Sequence, residues 1–201
     1  MIAKAVIAVA VTVAFGVRFI PHLRPRDPRS GAVGRGLIQI VVSGYHPPMS
    51  MAYLAQPEQQ QQLEWLGGGT LAILLDSAAT DGQLMIGRFD VSEGEAPPFH
   101  THTREDEVFM LIKGTALIWV DDQQFELAEN GIAFLPKNIP HAYRITSKKA
   151  DLLMINTPAG IEGMFRETGR DKSTPRPPGF HVTPDAAISA KYGNVIVGPP
   201  R

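Results

Sequence analysis

The sequence contains no cysteine, and this absence excludes disulfide bonds, thiolate nucleophiles and zinc–thiolate sites. Charge of neither sign is in excess, since 19 Lys and Arg residues oppose 20 Asp and Glu residues for a net charge of −1. Such a chain has no overall electrostatic attraction for nucleic-acid phosphates, and we expect no nucleic-acid partner. Any metal site must use nitrogen and oxygen ligands.

The N-terminal region lacks an apolar run of the ~20 residues that a transmembrane helix needs, and we expect no membrane association. Its apolar segment AVIAVAVTVAFGV, residues 5–17, has the length of a signal-peptide core, but the basic residues of RPRDPRSGAVGRG that follow are atypical of export. We interpret residues 1–48 as an extension outside the fold, and three origins stay open: a start codon assigned too far upstream, an export signal or an anchor. We expect a cytoplasmic protein, or an exported one if the first ~20 residues are a signal peptide.

From residue 49 onward, long helical periodicity is scarce and short strands dominate. The 19 Gly and 17 Pro residues favour many turns, and short segments rich in Val, Ile, Leu and Phe recur between Gly, Pro, Asn or Asp without an internal repeat. KG at 113–114, DD at 121–122 and ENG at 129–131 are predicted hairpin turns. The pattern predicts a single all-β barrel with its core at about residues 66–158, in a domain of residues 49–201.

The C-terminal part, residues 159–201, has a different character. GIEGMFRETG (160–169) and TPDAAISAKYG (183–193) are predicted as short helices, the second of them capped by Thr183. We expect these helices and the tail to cover one mouth or face of the barrel.

The stretch PPFHTHTREDEVFMLIKG, residues 97–114, contains two of the six histidines beside an apolar run. His100 and His102 are two residues apart, so both point to the same face of a strand. Glu107 begins the next apolar strand, and the segment PKNIPHAY contributes His141. Three imidazoles and one carboxylate can then converge inside the barrel. This set suits one divalent first-row transition metal, namely Fe, Mn, Ni, Co or Cu.

The spacing around these ligands is G-x5-H-x-H-x4-E-x6-G, from Gly94 to Gly114, and it resembles the first motif of the cupin superfamily at every position. The resemblance implies a single cupin barrel, also called a double-stranded β-helix or jelly roll. It implies a metal site formed by His100, His102, Glu107 and His141.

Two other carboxylates, Glu105 and Asp106, compete with Glu107 for the ligand role. Only Glu107 satisfies both spacings of the motif and begins the strand. We therefore predict that Glu105 and Asp106 are solvated turn residues.

The second cupin motif is matched less fully. Pro136 and His141 are present, but Asn138 replaces the internal glycine and Ile145 replaces the final asparagine. Asn130 stands where the motif begins with glycine, and asparagine tolerates the positive φ that such a turn requires. These departures affect turns rather than the ligand.

Within the cupins, HTHTREDEVFMLIKG and FLPKNIPHAYRI are similar to single-domain quercetin 2,3-dioxygenase-like proteins, which open flavonols with dioxygen. This resemblance implies a metal-dependent dioxygenase that acts on a small aromatic or enolic substrate. Glu107 would then be a catalytic general base as well as a ligand. Two alternatives stay open: a metal-containing cupin that binds a small ligand without turnover, and a cupin isomerase or decarboxylase. The expected partners are the substrate, dioxygen and a second copy of the chain, because related cupins are often dimers.

Three aromatic residues are candidate substrate contacts. Tyr143 shares the face of His141, and Phe109 shares the face of Glu107. Phe165 lies on the first predicted C-terminal helix, which could close over the metal. Filling of the barrel interior is the alternative role for Tyr143.

Overall fold

Residues 52–201, which the computed structural model describes, form two antiparallel β-sheets. In chain order the strands are β1 (Gln61–Glu64), β2 (Thr70–Leu75), β3 (Met85–Ser92), β4 (Pro98–His102), β5 (Asp106–Lys113), β6 (Ala116–Val120), β7 (Gln123–Leu127), β8 (Ile132–Leu135), β9 (His141–Ile145), β10 (Lys149–Thr157), β11 (Arg170–Asp171) and β12 (Asn194–Pro200). The α-helices are α1 (Ser77–Thr80), α2 (Glu162–Thr168) and α3 (Ala186–Lys191), and single 3-10 turns lie at Pro57–Gln59 and Leu66–Gly68. The predicted all-β fold with short C-terminal helices is confirmed.

The chain alternates between the two sheets. One sheet has the strand order β11-β1-β2-β3-β10-β5-β8, and the other has the order β12-β4-β9-β6-β7. From β3 to β6 every connection crosses from one sheet to the other. This jelly-roll path brings two inner faces together, and their side chains form the core between them.

A two-residue alternation positions the core along the strands. In β3, Met85, Phe89 and Val91 are buried, whereas Arg88 is exposed. Arg88 Nε donates a hydrogen bond of 2.8 Å to Asp151 Oδ1 on the neighbouring strand β10. Because successive side chains of a strand point to opposite faces, β3 gives one face to the core and the other to solvent.

The predicted turns differ in what they connect. The DD turn at 121–122 joins the paired strands β6 and β7, and Asp121 has a φ of 53°, so this hairpin is confirmed. The hairpins predicted at 113–114 and 129–131 are wrong, because β5 pairs with β8 and β10 whereas β6 pairs with β7 and β9. These turns carry the chain between sheets. Turn residues specify a change of direction, but they do not specify the sheet that the next strand joins.

Positive φ angles occur at the turn positions of both motifs. Gly114 has a φ of 99°, and a Cβ there would lie 2.7 Å from the carbonyl oxygen of Lys149. Asn130 and Asn138 each have a φ of 64°. The interpretation that asparagine replaces the glycine of the second motif is therefore confirmed.

The two sheets extend beyond the core predicted at residues 66–158. β1 pairs with β2, and β12 pairs with β4 over a stretch that was expected to be tail. Gly198 and two prolines in residues 194–200 concealed this strand in the sequence. β12 lies at a sheet edge, where a proline can occur because one side of the strand needs no hydrogen-bond partner.

Both predicted C-terminal helices are present, as α2 and α3. The predicted cap of the second helix is wrong: Asp185, not Thr183, is the N-cap, and its carboxylate accepts hydrogen bonds from the backbone N–H groups of Ala187 and Ile188. A carboxylate at that position satisfies two helix donors at once.

The expected N-terminal extension, residues 1–48, lies outside the described residues, so its boundary with the domain and its origin stay predictions. Within residues 52–201, none of the helices has the length and apolar character needed to cross a bilayer.

Candidate metal centre

Three strands bring the four predicted ligands together. His100 and His102 lie on β4, Glu107 lies near the start of β5, and His141 begins β9. One ligand atom from each residue lies within 4.8 Å of the others, and all four side chains are buried. Since β4 and β9 belong to one sheet and β5 to the other, the group joins the two inner faces of the barrel.

Strand pairing explains how residues far apart in sequence meet. His100 and His141 are directly opposite each other in the β4–β9 pair, and opposite residues point to the same face. The ring centroid of His100 lies 5.0 Å from that of His102 and 4.7 Å from that of His141. Glu107 Oε2 lies 3.2 Å from His141 Nε2, and Glu107 Oε1 lies 3.7 Å from His102 Nε2.

Backbone carbonyls orient two of the imidazoles. His100 Nδ1 lies 2.7 Å from the oxygen of Pro98, and His141 Nδ1 lies 2.9 Å from the oxygen of Ile139. We assign the proton to Nδ1 in both rings, because a carbonyl can only accept. Each ring then keeps its Nε2 lone pair for a metal ion.

Buried polar atoms without hydrogen-bond partners indicate whether the four candidate ligands fit a cation. Among the described residues, Nε2 of His102, Nε2 of His141 and Oε2 of Glu107 are buried without a hydrogen-bond partner. Buried polar atoms without partners are costly, and a cation would satisfy all three at once. A donor set of three imidazole nitrogens and one carboxylate fits a divalent transition metal.

Protonation states in the site also suit a metal ion. Burial, together with the neighbouring His141 and His102, lowers the pKa of His100 to about 3. Burial likewise lowers the pKa of His102. Burial alone would raise the pKa of Glu107, but the imidazoles of His102 and His141 outweigh it and bring the pKa to about 2. At neutral pH, His100 and His102 therefore offer neutral imidazole lone pairs and Glu107 offers an ionised carboxylate.

Asn156 is a component of the site that sequence reasoning missed. It lies on β10 directly opposite Glu107, it is fully buried, and its Nδ2 donates a hydrogen bond of 3.1 Å to Glu107 Oε1. The available signal was a polar residue at an inward position of the apolar strand ADLLMINT. This hydrogen bond fixes one carboxylate oxygen and directs the other towards the histidines.

The prediction that Glu105 is a solvated turn residue is wrong. Its side chain is 1% exposed, and its Oε2 lies 3.7 Å from His102 Nδ1. Burial raises the pKa of this carboxyl group. Asp106 is half-buried, and its Oδ1 accepts a hydrogen bond of 2.9 Å from the backbone N–H of Lys137. The turn folds back against β4, and a sequence pattern does not contain that tertiary contact.

A cavity opens next to the ligands. Its empty space is about 580 Å³, the open mouth included, and His100, His102 and Glu107 form part of its lining, whereas His141 is fully buried. The other walls are mainly apolar and include all three predicted aromatic contacts: Phe109, Tyr143 and Phe165. A largely apolar cavity with a few polar groups in its lining is typical of a small-molecule site.

Tyr143 has a buried partner that the sequence did not reveal. Its hydroxyl donates a hydrogen bond of 3.1 Å to Glu95 Oε1, and its ring packs edge-on against Phe109. Burial raises the pKa of Glu95 to about 7, against the opposing effect of this hydrogen bond. Tyr143 is therefore held by a polar contact on one side and an aromatic contact on the other.

Comparison with known families agrees with this geometry. Residues 87–157, from β3 to β10, match the model of the cupin domain. This part of the chain is a cupin domain. Three of the four residues of the candidate metal centre come from the first motif, and the fourth comes from the second.

Two curated cupin relatives are distant. The chain is 28% identical over 90 residues to quercetin 2,3-dioxygenase of Bacillus subtilis (strain 168). This alignment covers 45% of this chain and 27% of that protein. It is 33% identical over 69 residues to an uncharacterized protein of Aquifex aeolicus (strain VF5). That alignment covers 34% of this chain and 55% of that protein. The chain thus spans about a quarter and about a half of the lengths of these relatives.

Among solved structures, the cupin is similar to KdgF from Halomonas sp. The two share 13% sequence identity with a TM-score of 0.49, and the match covers 54% of this chain and 94% of that one.

Proposed function

We propose that this cupin is a metal-dependent dioxygenase acting on a small aromatic or enolic substrate, in the manner of a quercetin 2,3-dioxygenase. One observation carries the proposal: three members of a buried His-His-Glu-His group, namely His100, His102 and Glu107, line a mainly apolar cavity. Similarity to the Bacillus subtilis quercetin 2,3-dioxygenase supports the reaction type.

His100, His102, Glu107 and His141 would hold one divalent Fe, Mn, Ni, Co or Cu ion. When bound, such an ion supplies Lewis acidity towards a substrate hydroxyl group and an orientation relative to dioxygen. With three neutral imidazoles and one carboxylate, the ligands leave one positive charge on a divalent site, which favours an anionic oxygen.

Glu107 has a second proposed role as general base. Its carboxylate is ionised at neutral pH because its pKa is lowered to about 2, and an ionised carboxylate that partly dissociates from the metal would accept the proton of a neighbouring substrate hydroxyl group. Asn156 holds Oε1 and leaves Oε2 unpaired among the described residues. A base must lie within hydrogen-bond reach of the proton that it accepts, and Glu107 lines the cavity together with the two histidines of β4.

The aromatic walls have the proposed role of orienting the substrate and excluding water. Phe109 and Phe165 are buried, and each packs edge-on against another aromatic ring. Rigid apolar walls of this kind hold a flat substrate in one plane. A fixed orientation and the absence of bulk water both favour reaction of the bound anion with dioxygen over its reprotonation.

The test uses purified full-length protein loaded in turn with Fe, Mn, Co, Ni or Cu and supplied with quercetin in air. Expected results are dioxygen uptake, loss of the flavonol absorbance and release of carbon monoxide. His100→Ala should abolish all three signals, whereas His181→Ala, a histidine in an exposed loop, should retain them.

Quercetin that is neither consumed nor converted to carbon monoxide with any of the metals would remove the dioxygenase proposal. Ligand-induced stabilisation without product would then support the binding-module alternative, and a rearranged or decarboxylated product would support the isomerase or decarboxylase alternative.

A further inference from the structure

Part of the polar lining of the cavity comes from C-terminal elements that the sequence motifs do not include. Thr168 ends α2, Ser189 lies on α3 and Asn194 begins β12, and all three line the cavity. We call these three residues the polar corner. Ser189 is 5% exposed and Asn194 is 7% exposed, so these polar side chains are directed to the cavity rather than to bulk solvent.

Strand register brings the polar corner to the metal centre. Asn194 is directly opposite His102 in the β12–β4 pair, and Ile196 is opposite His100. Directly opposite residues of an antiparallel pair have Cβ atoms about 4.5–5.5 Å apart and point to the same face. The Asn194 side chain therefore lies beside a candidate ligand, inside the barrel.

Several contacts fix the polar corner in place. Thr103 holds the start of β12. Its backbone N–H and its hydroxyl donate hydrogen bonds of 2.8 and 3.0 Å to the carbonyl oxygen of Gly193. Glu167 joins the two helices, since its Oε2 accepts hydrogen bonds from Lys191 Nζ at 2.6 Å and from the Tyr192 hydroxyl at 2.9 Å. Side chains on a rigid support lose little entropy when they bind a ligand.

The polar corner also contains an unsatisfied hydroxyl group. Thr168 Oγ1 is buried and has no hydrogen-bond partner among residues 52–201. Buried hydroxyl groups in proteins normally have a partner, and a ligand in the cavity would supply one. Asparagine, serine and threonine together offer donors and acceptors without any charge, which suits a hydroxyl or carbonyl group.

We propose that Thr168, Ser189 and Asn194 form a subsite for a second oxygen of the substrate, a hydroxyl or carbonyl group on the carbon next to the one whose oxygen binds the metal. The substrate class is then a flat, largely apolar molecule with two neighbouring oxygens. The subsite rests on the proposed function only for the presence of a metal ion at the His-His-Glu-His group, and it requires no turnover.

The test measures binding to the full-length protein loaded with Zn²⁺ and kept free of oxygen. The two probes are 2,3-dihydroxynaphthalene and 2-naphthol, which differ by one neighbouring hydroxyl group, and calorimetry gives both dissociation constants. Because a metal ion alone also prefers a diol, the informative quantity is the ratio of the two constants in a variant compared with that in the wild type.

Asn194→Leu should reduce the preference for the diol by about tenfold, because the diol loses one buried hydrogen bond and the apolar side chain leaves its second oxygen without a partner. Thr168→Val and Ser189→Ala should reduce it by smaller factors. Val195→Ala is the matched control: its side chain lies on the same strand but points to the opposite face, and the ratio should stay at the wild-type value. Asn194→Ala repeats the test if the leucine variant melts early.

An unchanged ratio in both Asn194 variants would overturn the subsite, as would equal losses for the two probes or the absence of binding for both. A reduced ratio in a protein that consumes no dioxygen with any substrate would support the subsite and remove only the dioxygenase proposal.

Discussion

At the scale of single residues, the candidate metal centre depends on groups that contact its four candidate ligands from outside the site. Asn156 holds Glu107, Glu105 approaches His102, and backbone carbonyls orient the other two imidazoles. Such outer contacts set the orientation and basicity of ligands and commonly affect metal affinity by about 10–100-fold.

Asn156→Leu should weaken the affinity for a divalent ion by about 10–100-fold, because Glu107 loses the hydrogen bond that orients its carboxylate. Competition with a chromophoric chelator measures this change. Ile155→Val, on the opposite face of the same strand, should leave the affinity unchanged. Equal affinities in the wild type and the Asn156 variant would contradict the positioning role.

Glu105→Ala should also weaken metal binding, because His102 loses the carboxylate that lies 3.7 Å from its Nδ1. Glu105→Gln keeps an acceptor oxygen at this position and should lose less affinity than the alanine variant. The same chelator competition ranks the three proteins. A glutamine variant as weak as the alanine variant would show that the negative charge of Glu105, rather than an acceptor oxygen, matters.

Glu95 should make stability depend on pH. Burial raises its pKa from 4.5 to about 7, so the folded state binds a proton more tightly than the unfolded state. The resulting stabilisation is complete below about pH 4.5 and is lost as the pH rises through about 7. Relative to Glu95→Gln, the metal-free wild type should therefore lose at most about 3 kcal/mol of unfolding free energy between pH 4.5 and pH 8.

Urea unfolding of the metal-free proteins at both pH values measures this difference. Glu93→Gln, at an exposed glutamate two residues away, is the matched control and should follow the wild type. Parallel pH profiles for the wild type and Glu95→Gln would contradict the assignment.

At the scale of elements, the C-terminal helices and β12 complete the barrel. α2 and α3 pack closely at Gly163, where a Cβ would overlap the ring of Tyr192. That ring cannot move freely, because its hydroxyl donates a hydrogen bond to Glu167. Gly163 therefore permits the close approach of the two helices.

Gly163→Ala tests this contact. Helix propensity alone predicts a gain of about 1 kcal/mol from alanine, but overpacking costs about 1–3 kcal/mol, and we expect net destabilisation. Gly198→Ala is the control, since its added Cβ would lie 3.5 Å from the nearest side-chain atom, at an ordinary contact distance. Thermal unfolding of the two variants compares them, and a Gly163 variant as stable as the wild type would contradict the tight packing.

At the scale of the whole molecule, a bound ion would connect the two sheets. His100, His102 and His141 belong to one sheet and Glu107 belongs to the other. An ion held in this way binds the folded state and has no preformed site in the unfolded chain. Metal binding should therefore stabilise the entire barrel rather than one loop.

Saturation with a preferred divalent ion at about 100 times its dissociation constant should stabilise the protein by about 3 kcal/mol, or about 5–10 °C in Tm. Calorimetry with and without a chelator measures the shift. His141→Ala should eliminate it, whereas His181→Ala should retain it. A Tm that does not respond to any divalent ion would argue against a metal at the group.

Exposed apolar side chains on the outer surface are relevant to the predicted homodimer. Three large apolar side chains on the edge strands β7 and β8 are at least half exposed. They are Phe125 at 50%, Ile132 at 68% and Phe134 at 62%. The dimer stays a prediction, as do the substrate, the identity of the metal and the location of the protein in the cell.

The sequence by itself determined the strand-rich class, because alternating apolar residues and frequent turns leave few other ways to bury a core. It also determined which four side chains could form the centre, because the short-range spacing of His100, His102 and Glu107 is written along two successive strands. Only the tertiary structure decided which strands pair, that Asn194 and Ile196 of β12 line the cavity, and that Glu95, Glu105 and Asn156 are buried. The physical reason is that pairing and burial depend on contacts between segments far apart in the chain, and no local pattern of residues specifies those contacts.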